Sequence, residues 1–134
     1  MKIIQPKLHG VVDYAAVAAL LVLPSVLDFT NTPATLSYLL AATQLIVSLL
    51  TRYPLGLIKR IPFPLHGYYE LVTSLLLVPL PWLFGFSNED AARNFFVISG
   101  VSLFVVWLVT NYRAVPADAQ YEIHHRTSGT PHMP

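Results

Sequence analysis

The sequence predicts an all-α fold, an integral membrane four-helix bundle made of two tandem two-helix repeats in parallel orientation. Three observations carry this expectation. Only 11% of the 134 residues are charged and 54% are hydrophobic, whereas a soluble domain carries about 25% charged residues. Four long segments, residues 14–27, 29–51, 71–88 and 94–112, contain no Asp, Glu, Lys or Arg. A displacement of 57 residues lays Leu8-His9-Gly10 over Leu65-His66-Gly67, and Asp13 over Glu70, without a gap.

The first span follows Lys2 and Lys7, which gives it the look of a signal peptide. Leu23-Pro24-Ser25 is a poor small-residue cleavage site, so this segment reads as a retained span. A helical crossing needs about 20 mostly apolar residues. The second and fourth segments reach that length alone. The first and third reach it when extended back to Leu8 and Leu65, and that extension draws His9, Asp13, His66 and Glu70 into the membrane boundary. Residues 28–33, 52–64 and 87–93 contain the Pro, Asn, Gly or charged residues expected of turns. Repeat one covers residues 8–51 and repeat two 65–112 of a transmembrane domain spanning 1–113. Residues 114–134 read as a polar cytoplasmic tail, in which His124, His125 and His132 are expected to be ordinary polar residues.

Lys2, Lys7, Arg52, Lys59, Arg60, Arg113 and Arg126 fall at the N-terminus, the middle loop and the C-terminus, and only Arg93 falls on the opposite side. The positive-inside rule makes the first side cytoplasmic, with both termini there. Two units that each cross twice have the same orientation, so their pseudo-symmetry axis runs along the membrane normal. Leu23-Pro24 matches Leu80-Pro81, Phe29 matches Phe86 and Asn31 matches Asn88 at the same displacement. Prolines 24, 79 and 81 predict kinks or early helix ends near the outer face. Trp82 is expected at the outer interface, and Tyr53, Tyr68, Tyr69 and Tyr112 at the cytoplasmic one.

The second unit reads Leu80-Pro81-Trp82-Leu83-Phe84-Gly85-Phe86 at the outer end of its first helix. This resembles the Ser-Pro-Trp signature, followed by Gly-Phe, of the SPW-repeat family of small prokaryotic membrane proteins. Leu80 takes the place of the serine, and the first unit has Leu23-Pro24-Ser25, so the likeness rests on the second unit. It implies two-helix repeats and a prokaryotic cytoplasmic membrane, and assigns no activity or functional residue.

His9 and Asp13 are four residues apart, as are His66 and Glu70, so each pair lies on one helix face. Ionisable groups at membrane depth usually face the bundle interior. Three readings follow. Each carboxylate could stand in the first turn of its helix, favoured by the macrodipole and bonded to its histidine, with Gly10 and Gly67 allowing close approach or an irregular helix start. His9, Asp13, His66 and Glu70 could bind a metal ion such as Zn, Mn or Fe, or relay a proton. His9 and His66 could be the axial ligands of haem b between the helices. Gln44 and Ser48 lie near the depth of Asp13, but with Val101 and Val105 as repeat counterparts they read as ordinary interhelical hydrogen-bonding residues.

The absence of cysteine excludes disulfides, thiolate metal sites and covalently attached haem. A net charge of +1 gives no reason to expect nucleic acid. No nucleophile elbow, phosphate loop or zinc-protease motif occurs, so an enzyme is not expected. The leading expectation is a non-enzymatic multi-pass membrane protein whose symmetric His/carboxylate cluster binds a proton or metal ion. The alternatives are a bis-histidine haem b electron-transfer protein and a structural or accessory subunit of a larger membrane complex. The partners expected are the lipid bilayer, further copies of the chain, or that complex.

Overall fold

The computed structural model describes residues 2–114, so the tail and its three histidines lie outside the described residues. Five helices form in order: α1 (Pro6–Val26), α2 (Asn31–Leu50), α3 (Phe63–Leu77), α4 (Leu80–Leu83) and α5 (Asp90–Val109). Among the described residues there is no strand, only two isolated bridges. α1, α2 and α5 are each long and apolar enough to cross a membrane. Their outward faces carry Leu, Ile and Val at high exposure, Leu39 at 60% and Ile98 at 64% among them, so each apolar face turned away from the neighbouring helices needs an apolar surrounding.

α1 packs along α2, and α3 packs along α5. Pro at the first or second position starts both α1 and α3, where its missing N–H costs no intrahelical bond. α1 runs through Pro24 to Val26, whereas the matching stretch is cut into α3 and α4 at Val78 and Pro79. Pro79 stands where α1 has Val22, and a second interior proline, with no N–H to donate and a ring that crowds the carbonyl four residues back, breaks the helix. The chain still covers the same length, residues 6–26 in one case and 63–83 in the other.

Both units then turn alike. Leu27 N–H donates to Leu23 O and Phe29 N–H to Pro24 O; Phe84 N–H donates to Leu80 O and Phe86 N–H to Pro81 O. Asp28 and Gly85 take the left-handed conformation there, at φ 50° and 74°. After Phe86 the second turn is two residues longer, so α5 follows α2 by 59 residues and not 57. Asn31 opens α2, while Asn88 lies in the turn before α5. The structural counterparts of Gln44 and Ser48 are therefore Leu103 and Trp107, not Val101 and Val105.

The interior divides by depth. At the end where α2 and α5 begin, Leu77, Phe86, Ala92 and Phe96 form a buried apolar core, with Phe29 and Phe95 packed against it. Gly100 lets α5 press on α3, since a Cβ there would lie 2.9 Å from the Ser74 carbonyl oxygen. At the other end most buried side chains are polar, His9, Asp13, Gln44, Ser48, Thr51, His66, Glu70 and Thr110, with the rings of Tyr53 and Phe63 packed among them. That end is belted by backbone pairings between the units. Ile3 and Ile4 N–H donate to Val109 O and Asn111 N–H to Ile4 O, while Arg52 N–H donates to Ile61 O and Ile61 N–H to Leu50 O.

Candidate metal centre

α1 and α3 each bring one histidine and, one turn later, one carboxylate to the interior. His9, His66 and Glu70 have no exposed surface and Asp13 has 2%. His9 Nε2 lies 3.5 Å from His66 Nε2, 3.4 Å from Asp13 Oδ1 and 3.3 Å from Glu70 Oε1. His66 Nε2 lies 3.4 Å from Asp13 Oδ2 and 3.5 Å from Glu70 Oε1. One ligand atom from each of the four residues lies within 4.8 Å of every other. The four residues singled out by spacing alone are thus brought together, and both imidazoles face both carboxylates.

Two threonines fix which nitrogen carries the proton. Thr51 Oγ1 donates to Val47 O at 2.6 Å and Thr110 Oγ1 donates to Val106 O at 2.7 Å. A hydroxyl has one proton, so each threonine oxygen can only accept from the histidine nitrogen beside it. His66 Nδ1–H therefore donates to Thr51 at 2.8 Å, and His9 Nδ1–H donates to Thr110 at 3.0 Å. In the neutral tautomer this leaves each Nε2 as a bare lone pair aimed at the other and at the carboxylates. The 3.5 Å approach of the two Nε2 atoms is then no hydrogen bond; a cation between them satisfies both.

Each histidine is held by the threonine that ends the other unit, whereas each carboxylate is held by the tyrosine that ends its own. Tyr53 OH donates to Asp13 Oδ2 at 3.0 Å, and Tyr112 OH donates to Glu70 Oε2. Burial, and next the neighbouring carboxylate, push both phenols above the ordinary tyrosine range, so they stay protonated donors. A Cβ on Gly10 would lie 2.9 Å from Tyr53 Cε2 and one on Gly67 2.9 Å from Tyr112 Cδ1. The two glycines exist at these positions so that a tyrosine ring can cross the helix, the close approach expected of them.

The carboxylates differ in what else reaches them. Asp13 also accepts from Gln44 Nε2 at 3.2 Å and Ser48 Oγ at 3.4 Å. Glu70 Oε1 is buried and accepts no hydrogen bond from the protein; its near neighbours are the two Nε2 atoms. Phe63 closes the cluster from the belted end, 5.2 Å from the His9 ring and 4.9 Å from the Tyr112 ring between centroids.

Several sequence expectations change. Asp13 and Glu70 are the eighth residues of their helices, and no acidic residue occupies the first turn of either. A macrodipole effect fades within the first turn, so it does not account for these carboxylates. Tyr53 and Tyr112 point inward to the cluster instead of anchoring an interface, and Gln44 and Ser48 belong to the site. The signal for the tyrosines and threonines was present: Thr51-Arg52-Tyr53 and Thr110-Asn111-Tyr112 repeat at 59 residues, which a single displacement of 57 conceals.

The chain matches no protein-family model, no curated protein and no solved structure.

Proposed function

We propose that this protein is an integral membrane four-helix bundle that binds one divalent transition-metal ion, of the zinc type, through His9, Asp13, His66 and Glu70. The observation that carries the reading is that one ligand atom from each of these four buried residues lies within 4.8 Å of every other, with each Nε2 3.3–3.5 Å from an oxygen of both carboxylates, His9 facing Asp13 Oδ1 and His66 facing Asp13 Oδ2. An ion bonded tetrahedrally to nitrogen and oxygen at about 2.0–2.1 Å requires ligand edges of about 3.3–3.4 Å. Two carboxylates also cancel the charge of a divalent ion, which removes most of the penalty for a charge at membrane depth.

The donor set suits this ion. Each ligating imidazole has its other nitrogen on a hydroxyl and each carboxylate has a tyrosine donor, the supporting shell that orients metal ligands. Two nitrogens and two oxygens in a tetrahedron favour zinc over magnesium or calcium, which take six or more oxygens. Four protein ligands leave no open position, the pattern of a structural rather than a catalytic zinc site, so the ion's role is to hold α1 to α3, and an enzymatic activity is not proposed. The geometry argues against haem b between His9 and His66, because Asp13 and Glu70 oxygens stand at contact distance from both nitrogens, where the macrocycle would have to lie.

The membrane reading is supported by the three long apolar helices and by α3 with α4, whose span 63–83, break included, equals α1 in length. With Lys2, Lys7, Arg52, Lys59 and Arg60 at the belted end, the positive-inside rule assigns that end and both termini to the cytoplasm. The tandem-repeat reading, with its likeness to SPW-repeat proteins of prokaryotic membranes, is supported by the matched helix bounds and turns.

Metal analysis of protein purified in detergent tests the function. One zinc-type ion per chain is expected, lost in His66→Ala and in Glu70→Gln while the helical content persists. Protein free of metal after incubation with zinc, or protein showing a Soret band, would sink the reading.

A further inference from the structure

A cavity of about 500 Å³ lies between the two helical hairpins, lined mostly by α1 and α5. That is the size of a site for a small organic ligand, and such sites are mostly apolar with a few placed polar groups. It begins at Leu27 and Ala91 and ends at Val12, Gln44 and Tyr69, beside the metal centre. No Asp, Glu, Lys, Arg or His lines it.

We propose that this cavity binds a neutral lipid, a hydrocarbon chain ending in a hydrogen-bonding oxygen such as a hydroxyl or carbonyl. Three observations support the occupant. The lining offers no counter-charge for a phosphate or carboxylate head, and a buried ion without a partner is costly. Gln44 is only 6% exposed and lines the inner end, where its amide nitrogen is already engaged by Asp13; held by that bond, it presents a polar group to a mostly apolar space, whose other polar residues are Tyr69, Thr73, Asn94, Ser99 and Ser102. Tyr69 and Thr73 lie at the same end.

The third observation is a departure from pseudo-symmetry. Along α1 the cavity is lined by Val12, Ala16 and Ala19, and α3 has Tyr69, Thr73 and Leu76 at the matched positions; Ser99 on α5 stands where α2 has Leu40. The opposite seam, between α2 and α3, holds a second, more open groove of about 590 Å³ from Ile61 to Leu76, lined in part by His66. Protein interiors leave few voids larger than a water molecule. The α1/α5 seam combines its space with small side chains and with Gln44, and a bilayer supplies neutral lipids to an opening flanked by the exposed Ile98. The inference rests on the membrane reading and is independent of the metal.

The test uses the full chain in nonionic micelles and a photoreactive diazirine analogue of a long-chain fatty alcohol, with the fatty acid of the same length as the charged control. Saturable labelling of Leu20 and Leu103, competed by unlabelled alcohol, is expected. It should fall at least tenfold in Ala16→Leu/Ala19→Leu with the metal content unchanged, and Ser99→Leu, which installs the residue found at the matched α2 position, should reproduce the loss if the double variant fails to fold. Labelling spread evenly over Leu39 and Ile46, undiminished labelling in both filled variants, or equal labelling by the fatty acid would overturn the proposal. A chain that stays in solution without detergent would fail the membrane reading instead.

Discussion

Glu70 is the residue on which the centre depends most narrowly. Its Oε2 accepts from Tyr112 and its Oε1 has no protein donor, whereas Asp13 accepts from Tyr53, Gln44 and Ser48. Removing a supporting donor to a metal ligand costs about 10–100-fold in metal affinity. Tyr112→Phe is expected to fall in that range and Tyr53→Phe below it, because Gln44 and Ser48 continue to hold Asp13. Competition titration with a chromophoric chelator measures both; equal losses would show that the tyrosines matter only as packing. The four ligand residues were legible in the sequence because ionisable groups are rare in apolar segments and here recur at one spacing. Their supporters were not. Thr51 and Tyr53 lie beyond the end of α2, where a polar residue at a membrane boundary has an ordinary explanation, and only the fold turns them inward.

At the scale of elements, the two units differ chiefly in the helix break at Pro79 and the turn that follows α4. α1 accommodates one interior proline, while the second unit, with two, separates into α3 and α4. Interior proline costs about 3 kcal/mol or more in a regular helix. Pro79→Val, which restores the residue at the matched position of α1, is expected to join α3 to α4 and to stabilise the protein by a part of that amount, with metal binding unchanged. Hydrogen exchange at Leu80 reads the joining directly, and unprotected exchange in the variant would place the break on Pro81. The order and approximate starts of the long helices were readable from charge-free segments; the separate α4 was not, since the prolines pointed only to a kink or an early helix end. The two additional residues before α5 were not, because the Phe29 and Phe86 match is real and only the chain after it slips, so a gapless alignment stays convincing while pairing the wrong residues of α2 and α5.

For the whole molecule, the buried His/carboxylate cluster and the belt of backbone pairings lie at one end of the hairpins, and the apolar core around Phe86 and Phe96 lies at the other. Between them lies the cavity. A ligand that binds only the folded state adds stability that grows with the logarithm of its concentration over the dissociation constant, about 4 kcal/mol at a thousandfold excess. Treating the purified protein with a strong chelator is therefore expected to lower the thermal midpoint, with zinc restoring it. An unchanged midpoint, with metal removal verified, would mean that the hairpins are held without the ion. Because ligation needs bare Nε2 atoms and ionised carboxylates, protons compete with the ion, and the stabilisation by zinc should weaken as the pH is lowered.

X-ray absorption at the zinc edge reaches the central claim most directly, since it counts the atoms around the ion and measures their distances. The account predicts four nitrogen and oxygen neighbours at about 2.0–2.1 Å, with the outer-shell signature of two imidazoles. A six-coordinate shell of oxygen alone, or a shell without imidazole scattering, would contradict it.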